Sequence, residues 1–156
     1  MKWIWEASEF VRKIRIRMRF GESSRMPLRL IRLELMQETA VCEWMARAED
    51  SWDTDLLIAA REQNLALQAL RDAMTVREFL FATFPEVGSA SFRVYRAAAG
   101  EPPELIIVGT VTREDEPLPR IRSLVMRAKL CGLRFSLSDG VFDALSTQGN
   151  GSDLPK

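Results

Sequence analysis

Histidine is absent from this sequence, and its absence removes the side chain that transfers protons best near neutral pH. Catalytic schemes in which histidine activates a cysteine are excluded with it. Only two cysteines are present, whereas a structural zinc site takes four Cys or His ligands. Gly109 and Gly132 each stand alone, so no phosphate-cradling loop is recognisable around them. We therefore expect no metal and no cofactor, and the sequence favours a non-catalytic role while leaving catalysis open.

Long hydrophobic runs are also missing. Apolar runs such as Leu105–Val108 are far shorter than the roughly 20 residues of a membrane-spanning helix. Residues 1–6 contain no apolar stretch typical of a signal peptide. Cys42 and Cys131 lie far apart inside apolar patterns, which indicates reduced core residues rather than a disulfide. These observations predict a cytoplasmic protein that does not contact a membrane.

The composition is that of a globular protein. Hydrophobic residues make up 47% and charged residues 28% of a chain of 156 residues, which is long enough for one core. We predict a single α+β domain over residues 1–145. Residues 146–156 are polar and rich in Gly and Ser, which predicts a flexible C-terminal tail.

Residues 14–20 alternate between apolar and basic side chains, as a half-buried strand does. The apolar side consists of Ile14, Ile16, Met18 and Phe20, and the other side consists of Arg15, Arg17 and Arg19. The sequence therefore predicts a first strand here, followed by a turn over residues 21–27.

A hairpin is predicted from residues 28–36 and 39–47, joined by a two-residue loop. This loop length sets Leu35 opposite Ala40, Leu33 opposite Cys42, Ile31 opposite Trp44, and Arg32 opposite Glu43. Leu28 and Leu30 are out of phase with Ile31, which predicts a bulge near Leu30.

The remaining pattern predicts helices and four more strands. Apolar residues from Leu56 to Phe84 follow a helical period, and Thr75 with Glu78 has the form of a capping box, which leaves open a division into two helices. Strands over 90–97 and 105–112, a short helix ending at Gly132 and a hairpin turning at Asp139–Gly140 follow. The predicted order is β-β-β-α-β-β-α-β-β, an antiparallel sheet with helices packed on one face. Nine residues are predicted to share one core: Leu33, Leu35, Cys42, Trp44, Leu70, Met74, Phe81, Ile107 and Leu124.

Charges are segregated along the chain although the net charge is zero. Residues 11–32 are mostly basic and residues 34–62 are mostly acidic. The predicted anion-binding face is formed by the arginines of the first strand and its neighbour: Arg15, Arg17, Arg19, Arg29 and Arg32. Single-strand nucleic-acid binders interleave stacking aromatics with basic groups, and Phe20 lies on the other face. We therefore do not expect tight nucleic-acid binding, and internal pairing of the arginines with acidic residues is the simpler alternative.

The densest acidic group consists of Glu49, Asp50, Asp53 and Asp55. Carboxylates at this density suit a hard cation, but the glycine and the spaced ligands of a calcium loop are missing. Acidic residues just before a long helix also complement its dipole and cap its free amides. We favour the capping role over a metal site.

The amino terminus is unusually apolar, with Trp3, Ile4 and Trp5 close together. Chain ends are usually polar and mobile, and tryptophan is enriched in interface hot spots. Packing of this segment on its own domain is the alternative. We predict that these three residues bind a partner and that the chain forms a homodimer.

Three functions remain open at this point. The favoured hypothesis is a non-catalytic protein-interaction domain of the adaptor or chaperone type, acting as a homodimer. The second is binding of nucleic acid or another anionic ligand through the arginine-lined sheet face. The third is a small enzyme or small-molecule-binding protein that uses carboxylates in a pocket between helix and sheet.

Overall fold

The computed structural model describes residues 2–18, 28–47, 57–98, 100–115 and 121–145, and in the first segment it describes the side chains of residues 7–16 and 18. The helices are α1 (Lys2–Arg17), α2 (Ile58–Thr83) and α3 (Leu124–Leu130). The strands are β1 (Arg29–Met36), β2 (Thr39–Met45), β3 (Ser89–Ala98), β4 (Glu101–Thr112), β5 (Leu133–Arg134), β6 (Leu137–Ser138) and β7 (Val141–Phe142). Their order is α-β-β-α-β-β-α-β-β-β, so the α+β class is confirmed.

The first helix replaces the strand predicted at residues 14–20, and that prediction was wrong. Phe10, Ile14 and Met18 are buried, whereas Ile16 is 67% exposed. Positions four apart share a face in a helix and also in a strand, so Ile14 and Met18 satisfy both periods. Ala7, which packs against the core, lies seven residues before Ile14 and fits only the helical period. Arg19 and Phe20 lie outside the described residues.

The β1–β2 hairpin has the predicted register. Leu35 pairs with Ala40, Leu33 with Cys42, and Arg32 with Glu43, and the loop places Gln37 at a φ of 54°. The ladder shifts between Leu30 and Arg32, so the bulge is confirmed. It moves Ile31 out of the ladder, and Leu30 takes the predicted place of Ile31 opposite Trp44. Ile31 is 48% exposed as a result.

One continuous helix, α2, follows the hairpin. The division at Thr75 does not occur, since the Thr75 Oγ1 donates a hydrogen bond back to the carbonyl oxygen of Arg71 at 2.9 Å inside the helix. At its carboxyl end α2 packs on α1, where the rings of Phe10 and Phe84 lie 5.6 Å apart. The two helices are also linked by Lys13 Nζ, which donates to Thr83 Oγ1 at 3.3 Å.

The main sheet is mixed rather than antiparallel, which corrects the prediction. Its five strands lie in the order β1-β2-β3-β4-β5, and β2 runs parallel to β3, with Thr39 beside Ser89 and Met45 beside Tyr95. The physical reason is the connection: α2 carries the chain back along the sheet, so the next strand starts at the same edge as β2. The other three pairs are antiparallel.

The last part of the described chain is built from α3 and three short strands. Ser123 caps α3 by accepting a hydrogen bond from the amide of Met126 at 3.2 Å, and Gly132, at a φ of 105°, ends it as predicted. β5 joins the edge of the main sheet next to β4. β6 and β7 form the predicted hairpin, turning at Asp139 and Gly140 with φ of 54° and 80°.

A single apolar cluster joins the helices to one face of the sheet. Cys42, Trp44, Leu70, Phe81 and Ile107 are buried in it as predicted. Leu33, Leu35, Met74 and Leu124 were predicted to be buried and are partly exposed at its margin. None of the described helices has the length and apolar character required to cross a bilayer. The boundary of a single domain at residue 145 stays a prediction, and the predicted tail over 146–156 lies outside the described residues.

Candidate functional site

A cavity of about 420 Å³ lies between the first half of α2, the ends of β2 and β3, and the β6–β7 hairpin. β2 and β3 are parallel, so their carboxyl ends meet at one edge of the sheet, where ligands of α/β proteins often bind. The apolar wall of the cavity consists of Leu65, Ala66, Ala69, Ile106, Val141 and Phe142. Ala46 and Ala97 also line it, and such small side chains leave the space open. The volume is within the range of small-molecule sites, about 300–1,000 Å³.

The β6–β7 hairpin is fastened over this cavity at two points. Gln63 Nε2, on α2, donates to the carbonyl oxygen of Asp139 in the hairpin turn at 2.7 Å. Arg96 Nη1, on β3, donates to the carbonyl oxygen of Phe142 at 2.9 Å. The Phe142 ring also meets Phe135 edge to face, with ring centres 5.7 Å apart. These contacts hold the β6–β7 hairpin in place, and it forms one wall of the cavity.

Arg96 is the cavity-lining cation with the clearest binding capacity. Its Nε and Nη2 donate to Oε1 of Glu104 at 3.1 and 2.9 Å, which fixes the plane of the guanidinium. Together with the bond to Phe142, these contacts engage one N–H of each nitrogen, and a guanidinium carries five N–H donors. The side chain of Arg96 is 35% exposed. Arg96 therefore retains N–H donors for a ligand at the edge of the cavity.

Arg47 lines the same cavity and is held by a buried carboxylate. Its Nε and Nη2 donate to Oδ2 and Oδ1 of Asp72 at 2.7 and 3.1 Å, and Gln68 Nε2 donates to Oδ1 at 2.9 Å. Burial raises the pKa of the Asp72 carboxyl, and the bonds from Arg47 and Gln68 act in the opposite direction. The pair fixes one wall of the cavity to the middle of α2.

Sequence reasoning missed these cavity residues, although the sequence carried two signals for them. Asp72 lies among the apolar positions Leu70 and Ala73 of an amphipathic helix, and an acid there needs a cationic partner. Arg96 and Glu104 lie opposite each other across the Gly100 turn, and a shift of the register between Arg96 and Ala98 brings them together. The predicted use of carboxylates in a pocket between helix and sheet stays a prediction, and Asp72 itself does not line the cavity.

The predicted anion-binding arginines do not form one strand face among the described residues. Arg15 and Arg17 belong to α1, and Arg19 lies outside the described residues. Arg29 and Arg32 lie on β1, where Arg32 forms ion pairs with Glu34 and Glu43. The prediction depended on a strand that does not form over residues 14–17, and anion binding by these residues stays untested.

Two other arginines are brought together at the carboxyl end of α2. Arg77 and Arg113 lie over the ring of Phe81, with guanidinium carbons 5.1 and 4.8 Å from its centre. Arg113 donates to the carbonyl oxygens of Phe81, Phe84 and Val87 at 2.7–3.1 Å. Carbonyls at a helix end lack partners within the helix, so Arg113 caps α2 and fixes it to the end of β4.

The cysteines and the acidic group add no metal centre within the described part of the chain. No three Cys, Asp or Glu residues of that part lie together in a way that would hold a metal ion. Burial raises the pKa of the Cys42 thiol and of the Cys131 thiol, which suits structural residues. The acidic group predicted to cap the long helix lies outside the described residues: Glu49, Asp50, Asp53 and Asp55.

The predicted partner-binding residues begin the first helix. Trp3, Ile4 and Trp5 lie in the first two turns of α1, and their side chains are outside the described part. Partner binding by these residues stays a prediction. No protein-family model, curated protein or solved structure matches the chain.

Proposed function

We propose that this protein binds a small, mostly apolar molecule that carries one carboxylate. The observation that carries the proposal is the cavity of about 420 Å³, with an apolar wall and the fixed guanidinium of Arg96 at its edge. Small-molecule sites typically combine such walls with a few oriented polar groups. The apolar part of the ligand would lie against Leu65 and Ile106, and its carboxylate would accept hydrogen bonds from Arg96.

The charges around the cavity favour a monoanion. Arginine binds carboxylates through charge-assisted hydrogen bonds, which are stronger than neutral ones. Glu104 already balances part of the Arg96 charge, and Glu62 also lines the cavity. A ligand with several negative charges would meet these carboxylates, so phosphorylated molecules fit this cavity less well than a simple organic acid.

Calorimetric titration with phenylbutyrate and with its neutral amide tests this function. We expect the acid to bind more tightly than the amide, and Arg96→Gln to weaken acid binding about tenfold or more. Amide binding should weaken much less, since the amide is affected only by the lost bond between Arg96 and the Phe142 wall. Ala97→Leu narrows the cavity and should weaken both. Arg93→Gln, on the same strand but outside the cavity, is the matched control. The proposal is contradicted if neither compound binds, or if Arg96→Gln and Ala97→Leu leave acid binding unchanged.

We propose homodimerisation for protein interaction as a second function, supported by the partly exposed leucines of β1 and the apolar start of α1. Light scattering on the full chain and on a chain starting at Glu9 tests the role of Trp3, Ile4 and Trp5. A dimer that weakens on shortening supports that role, and a monomeric full chain contradicts the dimer. A cytoplasmic location is also proposed, supported by two free, buried cysteines.

A further inference from the structure

The outer edge of β1 is an open strand edge among the described residues. β1 is the first strand in the order of the sheet and pairs only with β2 there. Unpaired edges present a row of backbone N–H and C=O groups to any strand that approaches. Leu33 and Leu35 remain partly exposed at the margin of the core next to this edge, and Met36 is 61% exposed. A second strand alongside β1 would cover these apolar groups.

The face of β1 opposite to Leu33 and Leu35 carries one cation and one anion. Arg32 and Glu34 lie two residues apart on it, with Nη2 and Oε1 separated by 2.8 Å and side chains 47% and 46% exposed. Arg32 also reaches Glu43 of the neighbouring strand at 3.2 Å. One cation and one anion flank Leu33 symmetrically, so this segment is complementary to itself when it is turned by a half rotation.

We propose that two copies of this chain pair antiparallel through β1, with the two-fold axis at Leu33, to form one continuous ten-stranded sheet. In this arrangement Arg32 lies opposite Glu34 of the second copy, and Glu34 lies opposite its Arg32. Leu33 lies beside its own copy, and Ile31 lies beside Leu35. The inference rests on the homodimeric function proposed above and gives it an interface and a register.

Neighbouring registers of the two β1 strands are less favourable than the register centred on Leu33. An axis at Arg32 sets two arginines opposite each other, and an axis at Glu34 sets two glutamates opposite each other. A shift by one residue between the copies brings the leucine face of one against the charged face of the other. The register centred on Leu33 places opposite charges together on one face and leucines together on the other face. The bulge at Ile31 ends the regular part of the β1 strand.

Paired edges of this length bury less surface than a standard protein–protein interface, so the dimer should be weak and concentration-dependent. Sedimentation over a range of protein concentrations therefore measures it. Glu34→Arg sets two arginines against two arginines, and Arg32→Glu sets two glutamates against two glutamates. We expect each variant alone to dimerise about tenfold or more weakly than the natural chain. An equal mixture of the two variants restores opposite charges and should form the heterodimer.

Two further variants serve as controls for the charge reversals in β1. Glu9→Arg breaks the exposed Arg12–Glu9 pair, whose Nη2 and Oε2 lie 2.9 Å apart on α1, and should leave the dimer unchanged. If Arg32→Glu unfolds beside Glu43, the double variant Arg32→Glu, Glu43→Arg replaces it, since it restores the cross-strand ion pair within each copy. This double variant should dimerise weakly alone and form the heterodimer with Glu34→Arg. A monomeric natural chain overturns both the dimer and its interface. A dimer that resists Glu34→Arg but disappears in the chain starting at Glu9 keeps the dimer and overturns the β1 interface.

Discussion

Replacing Asp72 with Asn is expected to destabilise the protein by about 3–5 kcal/mol, because it removes the negative charge that binds the buried Arg47 guanidinium through two hydrogen bonds. The side chains of Arg47 and Asp72 are 2% and 3% exposed, so water cannot take over the role of the carboxylate. Both carboxylate oxygens accept bonds from Arg47, and Oδ1 also accepts one from Gln68. A loss of this size is a large part of the stability of a domain, which is about 5–15 kcal/mol.

Removing the cation of the pair instead, with Arg47→Met, should make the free energy of unfolding depend on pH. Burial raises the pKa of Asp72, and Arg47 lowers it, so removing Arg47 moves the folded pKa further above the unfolded value of about 3.9. A folded pKa above the unfolded one gives stability that is present below the unfolded pKa and is lost as pH rises through the folded pKa. Arg47→Met should therefore regain stability as the pH falls through the folded pKa of Asp72 toward the unfolded value, and Asp72→Asn should not.

Urea unfolding followed by circular dichroism measures both effects. The double variant Arg47→Met, Asp72→Leu removes both charges and should cost clearly less than the sum of the single variants. Arg12→Met is the matched control, because the Arg12–Glu9 pair on α1 is exposed and should contribute only about 0–1 kcal/mol. A cost below about 1 kcal/mol for Asp72→Asn would refute the argument that the pair is buried and compensated. So would a double variant as costly as the sum.

Three further predictions concern a core leucine, the arginine that caps α2, and the two cysteines. Leu70→Ala should cost about 2–5 kcal/mol, since Leu70 is fully buried, and a change below about half a kcal/mol in urea unfolding would mean that α2 packs on another face. Arg113→Met should cost about 1–3 kcal/mol by freeing the carbonyls that it caps at the end of α2, and an unchanged unfolding midpoint would contradict the capping role. Cys42 and Cys131 should resist a thiol reagent at mildly alkaline pH until urea unfolds the protein, because burial raises the pKa of both thiols. Rapid labelling of the folded protein would show instead that the thiols are accessible.

Local pairing was predictable from the sequence, and long-range pairing was not. The register of β1 and β2 follows from a two-residue loop and from matching apolar and charged pairs, all within a short stretch of chain. The parallel pairing of β2 with β3 depends on the path of α2, and no pattern within either strand encodes direction. Over residues 14–18, Ile14 and Met18 fit both the alternation of a strand and the period of a helix. The helix forms because it buries Ile14 and Met18 together with Phe10, a packing that the local sequence does not show.

The candidate site was predictable only in its general position. The predicted packing of a helix on a sheet implies that a pocket can lie between them. The open volume, however, depends on small side chains such as Ala66 and Ala69, and neither the composition nor the helical period distinguishes these alanines from other helix residues. The hairpin that closes the cavity was predicted from Asp139–Gly140, whereas its contact with Gln63 joins distant parts of the chain.

The parallel register of β2 and β3 also has a consequence for the order of folding events. β1–β2 and β3–β4 are each joined by short turns, so each can form early from local contacts. Joining them requires residues 39–45 to meet residues 89–95, and this closes a long loop that contains α2. We expect α2 to order before that step, because a formed helix shortens the loop and presents the apolar side that holds both hairpins. The central strand pair would then be the last to assemble, although it lies in the middle of the finished sheet.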